Sequence, residues 1–428
     1  MSYLEDQFSA HLTASNHEPQ SLKDLRNQAF GQFHEIGFPA RNWEEWRFTG
    51  TAAVEKAKFR LTGSQDLPAS VESCIDALAV PTLLFVNGHY QPQLSEVPEG
   101  IEVRTLLDAY LEEPSNVCNG FAAGPSPFAF LNTAFMNTGL FIRISSNMPE
   151  NTYLRISFLI TNPAEPIMNH PRLVIEADND SRCTIVEHYR GEGETAYWNN
   201  AVTVFRLGRN SNICHIRIQD ESRTAAHLAS THYQLESGAT VNSQHMASGS
   251  SLHRNDVQVN LSGPDACAIL RGLCLAREDQ HLDYHINVDH QVEQVSSLVL
   301  FKYILADRAE GVFNGRAMVR SGAQQIDADQ KNKNLLLSDN ATMNSNPQLE
   351  IYADDVKCTH GSSTGQLDVD ALFYLRSRGI DPATAQTLMT SGFANEVLDK
   401  IEPPAVREHC QTTLSNWLRD TGKEFTVL

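Results

Sequence analysis

Five potential metal ligands crowd the segment QLEIYADDVKCTHG from Gln348 to Gly361: Glu350, Asp354, Asp355, Cys358 and His360. If the end of this run is extended, Cys358 and His360 project to one face, because side chains alternate along a strand. A thiolate beside an imidazole suits borderline metals such as iron or zinc. Two ligands do not close a tetrahedral site, so the rest must come from an acid or from a second subunit. On its own a C-x-H pair is more often incidental than a ligand set. A second group, Asp279, His281, Asp283, His285, Asp289 and His290, lies in a stretch that reads as strand. It is expected to form a polar outer face, with a weak iron-handling role as the alternative.

Two absences narrow the chemistry. The chain has no G-x-x-x-x-G-K-[ST] phosphate loop, so any ATP hydrolysis must come from a partner. The eight cysteines, Cys74, Cys118, Cys183, Cys214, Cys267, Cys274, Cys358 and Cys410, include no C-x-x-C pair. Zinc ribbons, thioredoxin motifs and ferredoxin-type runs are therefore disfavoured, and several thiols should sit reduced in the core. A stable cluster held by this chain alone is not expected.

The composition sets the frame for these residues. A length of 428 residues implies two or three domains or one elongated repeat body. Lysine and arginine number 33 against 52 acids, a net charge of −19 that repels phosphate backbones and argues against a nucleic-acid partner. No run approaches the ~18–20 apolar residues of a membrane span. The acidic N-terminus MSYLEDQFSAHL does not resemble an export signal, which places the protein in the cytoplasm.

Three regions must position the candidate residues. Residues 1–125 read as mainly helical with a small β segment: Leu22, Leu25, Ala29, Phe33 and Ile36 recur at helical steps, and TLLFVNGHY ends in an Asn87-Gly88 turn. Trp43 and Trp46 are expected to pack against the next domain. Residues 126–362 form the core, with short strands succeeding one another and few helical signals. Ala177, Leu207, Leu235, Leu261 and Val288 each precede a polar turn, at intervals of 30, 28, 26 and 27 residues. A strand-built period of that size fits one coil of a parallel β-helix, preferred over a β-sandwich, which needs no constant interval. Residues 363–428 are helical again, with Gly379 as a C′ glycine and Asp381-Pro382 opening the next helix. The flanking helices are expected to cover the open strand edges at the ends.

The wording NPQLEIYADDVKCTHG, followed by FYLRSRGI, resembles the C-terminal signature of the SufB/SufD family, closest to its SufD branch. EWRFT at 45–49, FVNGHY at 85–90, LNTAF at 131–135 and GVFNG at 311–315 add weaker matches, so the resemblance covers nearly the whole chain. It implies a non-enzymatic scaffold of iron–sulfur cluster assembly in the SUF system. The fold implied is a right-handed parallel β-helix between helical N- and C-terminal domains. The resemblance also implies pairing with SufB through the β-helices and docking of the ABC-type ATPase SufC on the C-terminal helical region. SufC contact is expected around Phe373, Tyr374, Arg376, Arg378 and Gly379. His360 matches a histidine that faces a SufB cysteine where a nascent cluster forms, with Cys358 in the same motif in a less secure role. The cofactor implied is thus a transient Fe–S cluster or iron at the SufB interface. A homodimer is expected to be open to the isolated protein. Two other readings stand beside this one: a SufB-like paralogue with the same fold, and a β-helix enzyme that cleaves acidic polysaccharides with stacked carboxylates.

Overall fold

The computed structural model describes residues 2–63, 82–114, 126–136, 138–149, 152–161 and 163–421. Cys74 and Cys118 lie outside the described residues, and the expected boundary after residue 125 falls at the edge of one such gap. The chain is mainly β, a solenoid of eight coils flanked by helices. Strands β1 (Arg60–Leu61), β2 (Thr82–Val86), β3 (His89–Tyr90) and β4 (Ile101–Thr105) come before it. Each coil gives one strand to each of two sheets. The first sheet stacks β5 (Thr138–Ile144), β8 (Pro171–Ala177), β10 (Tyr197–Leu207), β12 (Ala226–Leu235), β14 (Leu252–Leu261), β16 (His281–His290), β18 (Glu310–Val319) and β20 (Thr342–Ile351). The second stacks β6 (Tyr153–Ile160), β9 (Arg182–Gly191), β11 (Asn212–Asp220), β13 (Thr240–Ala247), β15 (Cys267–Ala276), β17 (Ser296–Leu305), β19 (Ile326–Leu336) and β21 (Val356–Gly365). A short strand, β7 (Ile167–Asn169), pairs with β1 and β10. All pairing between successive coils is parallel, as the near-constant repeat requires.

Alternation decides which side chains fill the interior. Along β9, Cys183, Ile185 and Tyr189 join the interior cluster, whereas Val186 belongs to a second cluster outside the sheet. Each buried Ile, Leu or Phe of the interior contributes roughly 1.5–3 kcal/mol, and columns of them run through every coil. One column is Ile144, Ala177, Leu207, Leu235 and Leu261, continued by His290, Val319 and Ile351. The fifth periodic position is therefore His290, not Val288, which stacks on Val259 instead. Both residues point inward, so apolarity alone favoured the wrong one. His290 is satisfied there by the Ser297 hydroxyl at 2.9 Å and the Met318 carbonyl at 2.9 Å.

The polar turns recur because they too are stacked. Asp180, Asn210, Gly238, Asp265, Gln294 and Gln325 all take a positive φ, and each donates its amide to a carbonyl of the next coil. Asn, Asp and Gly tolerate that conformation best, which is why the turns are legible in the sequence.

The helices cover faces rather than ends. Helices α1 (Ser2–Ala14) and α2 (Gln20–Ile36), then α3 (Ala52–Glu55) and α4 (Leu106–Glu112), precede α5 (Pro127–Phe135), which lies over the first sheet. Asn132 of α5 donates to the carbonyls of Pro171 and Asn200. Trp46 is buried and stacks over the Arg254 guanidinium at 3.7 Å, the expected packing against the solenoid. After the last coil come α6 (Val369–Ser377), α7 (Pro382–Leu398) and α8 (Pro404–Thr421). Asp381 caps α7 by accepting from the Thr384 amide at 3.0 Å, with Pro382 at the first position. Helices α7 and α8 fold back onto the outside of the second sheet, where Ala394, Val397, Val406, Leu414 and Trp417 pack on Ile216, Ile218, Leu273 and Leu300. The expectation that they cap the terminal edges is thus corrected. An apolar outer face on the middle coils is the larger surface to bury. At the opposite end, antiparallel β4 borders β5, and the β2–β3 hairpin, turning at Asn87 and Gly88 with positive φ, borders β6. Among the described residues no helix is long and apolar enough to cross a membrane.

Candidate functional site at the open end

Among the described residues β21 pairs only with β19, and β20 only with β18, so the eighth coil leaves its outer edge unpaired there. Register fixes the orientation of the candidate residues. Cys358 stands over Ala328 and His360 over Gln330, with Ser362 over Asn332 and Thr364 over Asn334. Ala328, Gln330, Asn332 and Asn334 are all buried inside the solenoid. Cys358 packs against the interior cluster, so the Cys358–His360 row is the interior row of the last coil. The shared face read from the sequence is therefore present. What the sequence did not reveal is that this face is the mouth of the solenoid. His360 is exposed because no ninth coil covers it, and Cys358 is half-covered.

The mouth is polar. Asn334 donates to Asn332 Oδ1 at 2.7 Å, as does the Ser345 hydroxyl at 2.7 Å, and Ser362 donates to Ser345 at 2.8 Å. Gln330 donates to the Gly315 carbonyl at 3.1 Å. These bonds floor the site with oriented amides and hydroxyls. Burial, followed by the nearby Asp327, pushes the Cys358 thiol above its ordinary value. In the isolated chain Cys358 is therefore a poor thiolate, and His360 is the better-presented donor.

The three acids of the same segment are placed elsewhere. Glu350 points to the outer face of the first sheet, 3.5 Å from Arg316. It lines a groove of about 390 Å³ with Trp43, Arg254, His285, Arg316 and Gln348. Asp354 and Asp355 lie in the last turn, where Asp355 gives its carbonyl to the Gln325 amide. Among the described residues no third histidine, cysteine or acid completes a ligand group with Cys358 and His360.

Of the second candidate group only Asp283, His285 and His281 come together, the last through the Thr49 hydroxyl at 2.9 Å. Asp279 pairs with Arg308 and Asp289 with Arg320, while His290 points into the interior. Asp283 is not on a solvated face, as expected from sequence, but fully buried beneath the N-terminal region. There it accepts from Thr49 at 2.5 Å and from Arg254 at 3.0 Å, with His285 at 3.2 Å. Burial raises the Asp283 carboxyl, and His285 and Arg254 outweigh it and hold the group well below the usual range. This is a docking contact, closed off by the segment around Trp46.

Helix α6 is the other exposed feature near the mouth. It buries none of its residues; Val369, Phe373 and Tyr374 are 76, 70 and 57% exposed. Val369 and Phe373 lie one turn apart on one face. Asp368 caps its start, Gly379 ends it with φ +89°, and Arg378 lies 5.2 Å from the Tyr374 ring. The apolar side chains of this face are thus left uncovered among the described residues.

Sequence reasoning missed a charged cluster inside the middle coils. Glu187 binds Arg217 at 2.7 Å and His215 at 3.2 Å, and Arg217 reaches His227 at 2.9 Å. His215 continues through Tyr233 and Ser243 to His245, at 2.5, 2.8 and 2.9 Å. The inward parity of each residue was the available signal.

Two families match the chain: the SUF system FeS cluster assembly SufBD core domain over residues 158–393, and the SufBD protein N-terminal region over residues 2–156. An iron–sulfur cluster assembly SufBD family protein of Synechocystis sp. is 30% identical over 403 residues, covering 90% of this chain and 89% of that protein. The iron–sulfur cluster assembly protein SufD of Escherichia coli is 25% identical over 392 residues, covering 91% and 90% respectively. The protein of that name from Bacillus subtilis is 24% identical over 429 residues, covering 95% and 96%.

Proposed function

The chain belongs to the SufBD family of iron–sulfur cluster assembly proteins, as a SufD-type member, and from that premise we propose that it is a scaffold whose open eighth coil pairs with a SufB-like solenoid. The observation that carries this is the placement of His360 and Cys358 on the interior row of a coil with an unpaired edge. Pairing there brings a second chain's ligands within reach of His360 and completes a site that this chain leaves half built. The nascent Fe–S cluster, or iron on its way to one, is the cargo. His360 supplies an imidazole donor, and Cys358 becomes a ligand only when a metal or partner charge lowers its thiol. The uncovered face of α6, with Phe373 and Tyr374, is the docking surface for the ATPase SufC. ATP-driven movement of that partner then reaches the mouth through the short link between Gly365 and Val369. On this reading the chain is not an enzyme and works in the cytoplasm. Asp283, the carboxylate a polysaccharide-cleaving enzyme would expose, is buried on Arg254 and Thr49.

His360→Ala tests the site. In the reconstituted complex under anaerobic conditions, cluster yield is expected to fall at least tenfold while the complex still co-elutes. Unchanged yield removes His360 from the site, and loss of the complex reassigns it to the interface.

A further inference from the structure

We propose that Gln330 is a positioning residue for His360: its buried carboxamide accepts one ring N–H of the imidazole and so turns the other ring nitrogen toward the metal. This rests on the reading of His360 as the donor at the mouth. Gln330 lies on β19 directly beneath His360 in the interior row and is only 2% exposed. Its Nε2 donates to the Gly315 carbonyl at 3.1 Å, which fixes which way round the amide stands. Its Oε1 is shielded from solvent and makes no hydrogen bond among the described residues. A buried acceptor without a donor is costly, and so calls for a reason.

The surroundings of Oε1 leave one donor to fill it. Val299 stands beneath Gln330 and Ala328 lies beside it in the same row, and neither has a polar side chain. Asn332, on the other side, points its Nδ2 at the Phe301 carbonyl at 3.1 Å. Ser345 and Ser362 donate their hydroxyls to Asn332 and to Ser345. Pro347 stands over Gly315 and brings no backbone N–H. Cys358, diagonal to Gln330, offers only a weak S–H. The His360 ring, one layer above, is the remaining N–H donor. Room for the carboxamide is built in, because a Cβ on Gly315 would lie 2.7 Å from three atoms of the Gln330 amide.

In the uncovered coil His360 is exposed, and water takes its N–H. A partner layer over the mouth removes that water, and the ring then needs an acceptor inside the solenoid. Gln330 Oε1 supplies one on the side away from the partner. With its proton held there the ring keeps a single tautomer, and its free nitrogen faces the incoming iron. A carboxamide does not take the proton, so the nitrogen presented to the metal stays the same one. Metal-bound histidines commonly give their other N–H to such an acceptor, and losing it weakens binding about 10–100-fold.

Gln330→Met, close in size but without the acceptor, is expected to lower cluster yield about tenfold in the reconstituted anaerobic complex. The complex is expected still to co-elute, and the Tm of the isolated chain to stay within about 3 °C of the wild type. Gln330→Glu, buried as its neutral acid, keeps one donor and one acceptor and is expected to hold most of the wild-type yield. Gly315→Ala displaces the carboxamide without removing it and is expected to lower yield as well. In a His360→Ala background Gln330→Met is expected to cause no further loss, which a general packing defect would cause. Unchanged yield in Gln330→Met, or in Gly315→Ala should Gln330→Met not fold, alongside a loss in His360→Ala overturns this proposal and leaves the role of His360 standing. Unchanged yield in His360→Ala overturns both. A further loss in the double variant, or a Gln330→Glu yield as low as that of Gln330→Met, also overturns the assignment of Gln330.

Discussion

Inside the middle coils, Arg217 is held by Glu187 at 2.7 Å, by His227 at 2.9 Å and by the Tyr189 ring, 4.5 Å from its centroid. Taking two charges out of water is costly, and their mutual attraction repays it only while both are present. Arg217→Met leaves the buried Glu187 carboxylate without its guanidinium, held by His215 and Tyr189, and is expected to cost about 3 kcal/mol in urea unfolding. The double variant with Glu187→Gln is expected to recover more than half of that loss. Acid should act on the same cluster and on a separate buried histidine, His170, which stacks on Phe135 beneath α5. Burial pushes the Glu187 carboxyl up, but Arg217 and then His215 outweigh it and hold the group at about 2. Burial, and secondarily His11, hold His170 at about 3. Both values lie below those of the unfolded chain, so the unfolded state takes up protons first on acidification. The carboxylate contribution is present above the ordinary value of 4.5 and is lost as pH falls toward 2. The histidine contribution is present above 6.5 and is lost as pH falls toward 3. At pH 5 His170 alone has forfeited roughly 2 kcal/mol, so Tm is expected to fall steadily between pH 7 and 4. Parity alone could place Glu187 inward with Cys183, Ile185 and Tyr189, but not say that Arg217 of the next coil meets it there.

At the level of elements, the solenoid was legible because its turns repeat a backbone conformation that few residues tolerate, as at Asp180, Asn210 and Gly238. The helices after Gly379 were legible from caps and prolines that the structure uses as written. The slip from Val288 to His290 shows the limit, because side-chain parity cannot distinguish neighbours two residues apart. Where the C-terminal helices lie was not legible either. Their apolar stripe says that they pack, and only the outward residues of β11, β15 and β17 say where. Helix α6 carries the prediction at this scale. Phe373 is 70% exposed, so Phe373→Ser is expected to change unfolding stability by less than about 0.5 kcal/mol. The same change is expected to weaken capture of the ATPase partner at least tenfold in a pull-down with purified subunits. Intact capture would move the docking surface off α6.

The whole molecule is asymmetric along its axis. One end is finished by the antiparallel strands β3 and β4, and the other is left as bare strand edges. A bare edge is a template for another chain. Without its partner the protein is expected to self-associate through β21 at high concentration, seen as a rising mass in light scattering. Ser363→Lys, which puts a charge on that edge, is expected to keep it monomeric, and an unchanged dimer would place the contact elsewhere.

The coils of such a body hold one another in a line, and a coil in the middle loses two neighbours on opening while the last loses one. The eighth coil is therefore where the molecule unzips first, and His360 sits on it. Amide exchange in β21 should be the fastest of the stacked strands and should slow when a partner adds the missing ninth layer. His360 is thus carried by a coil with a single stacked neighbour among the described residues. If a partner adds the ninth layer as proposed, its docking and the setting of that imidazole become one cooperative event, and the unpartnered chain is expected to hold no iron firmly at the mouth.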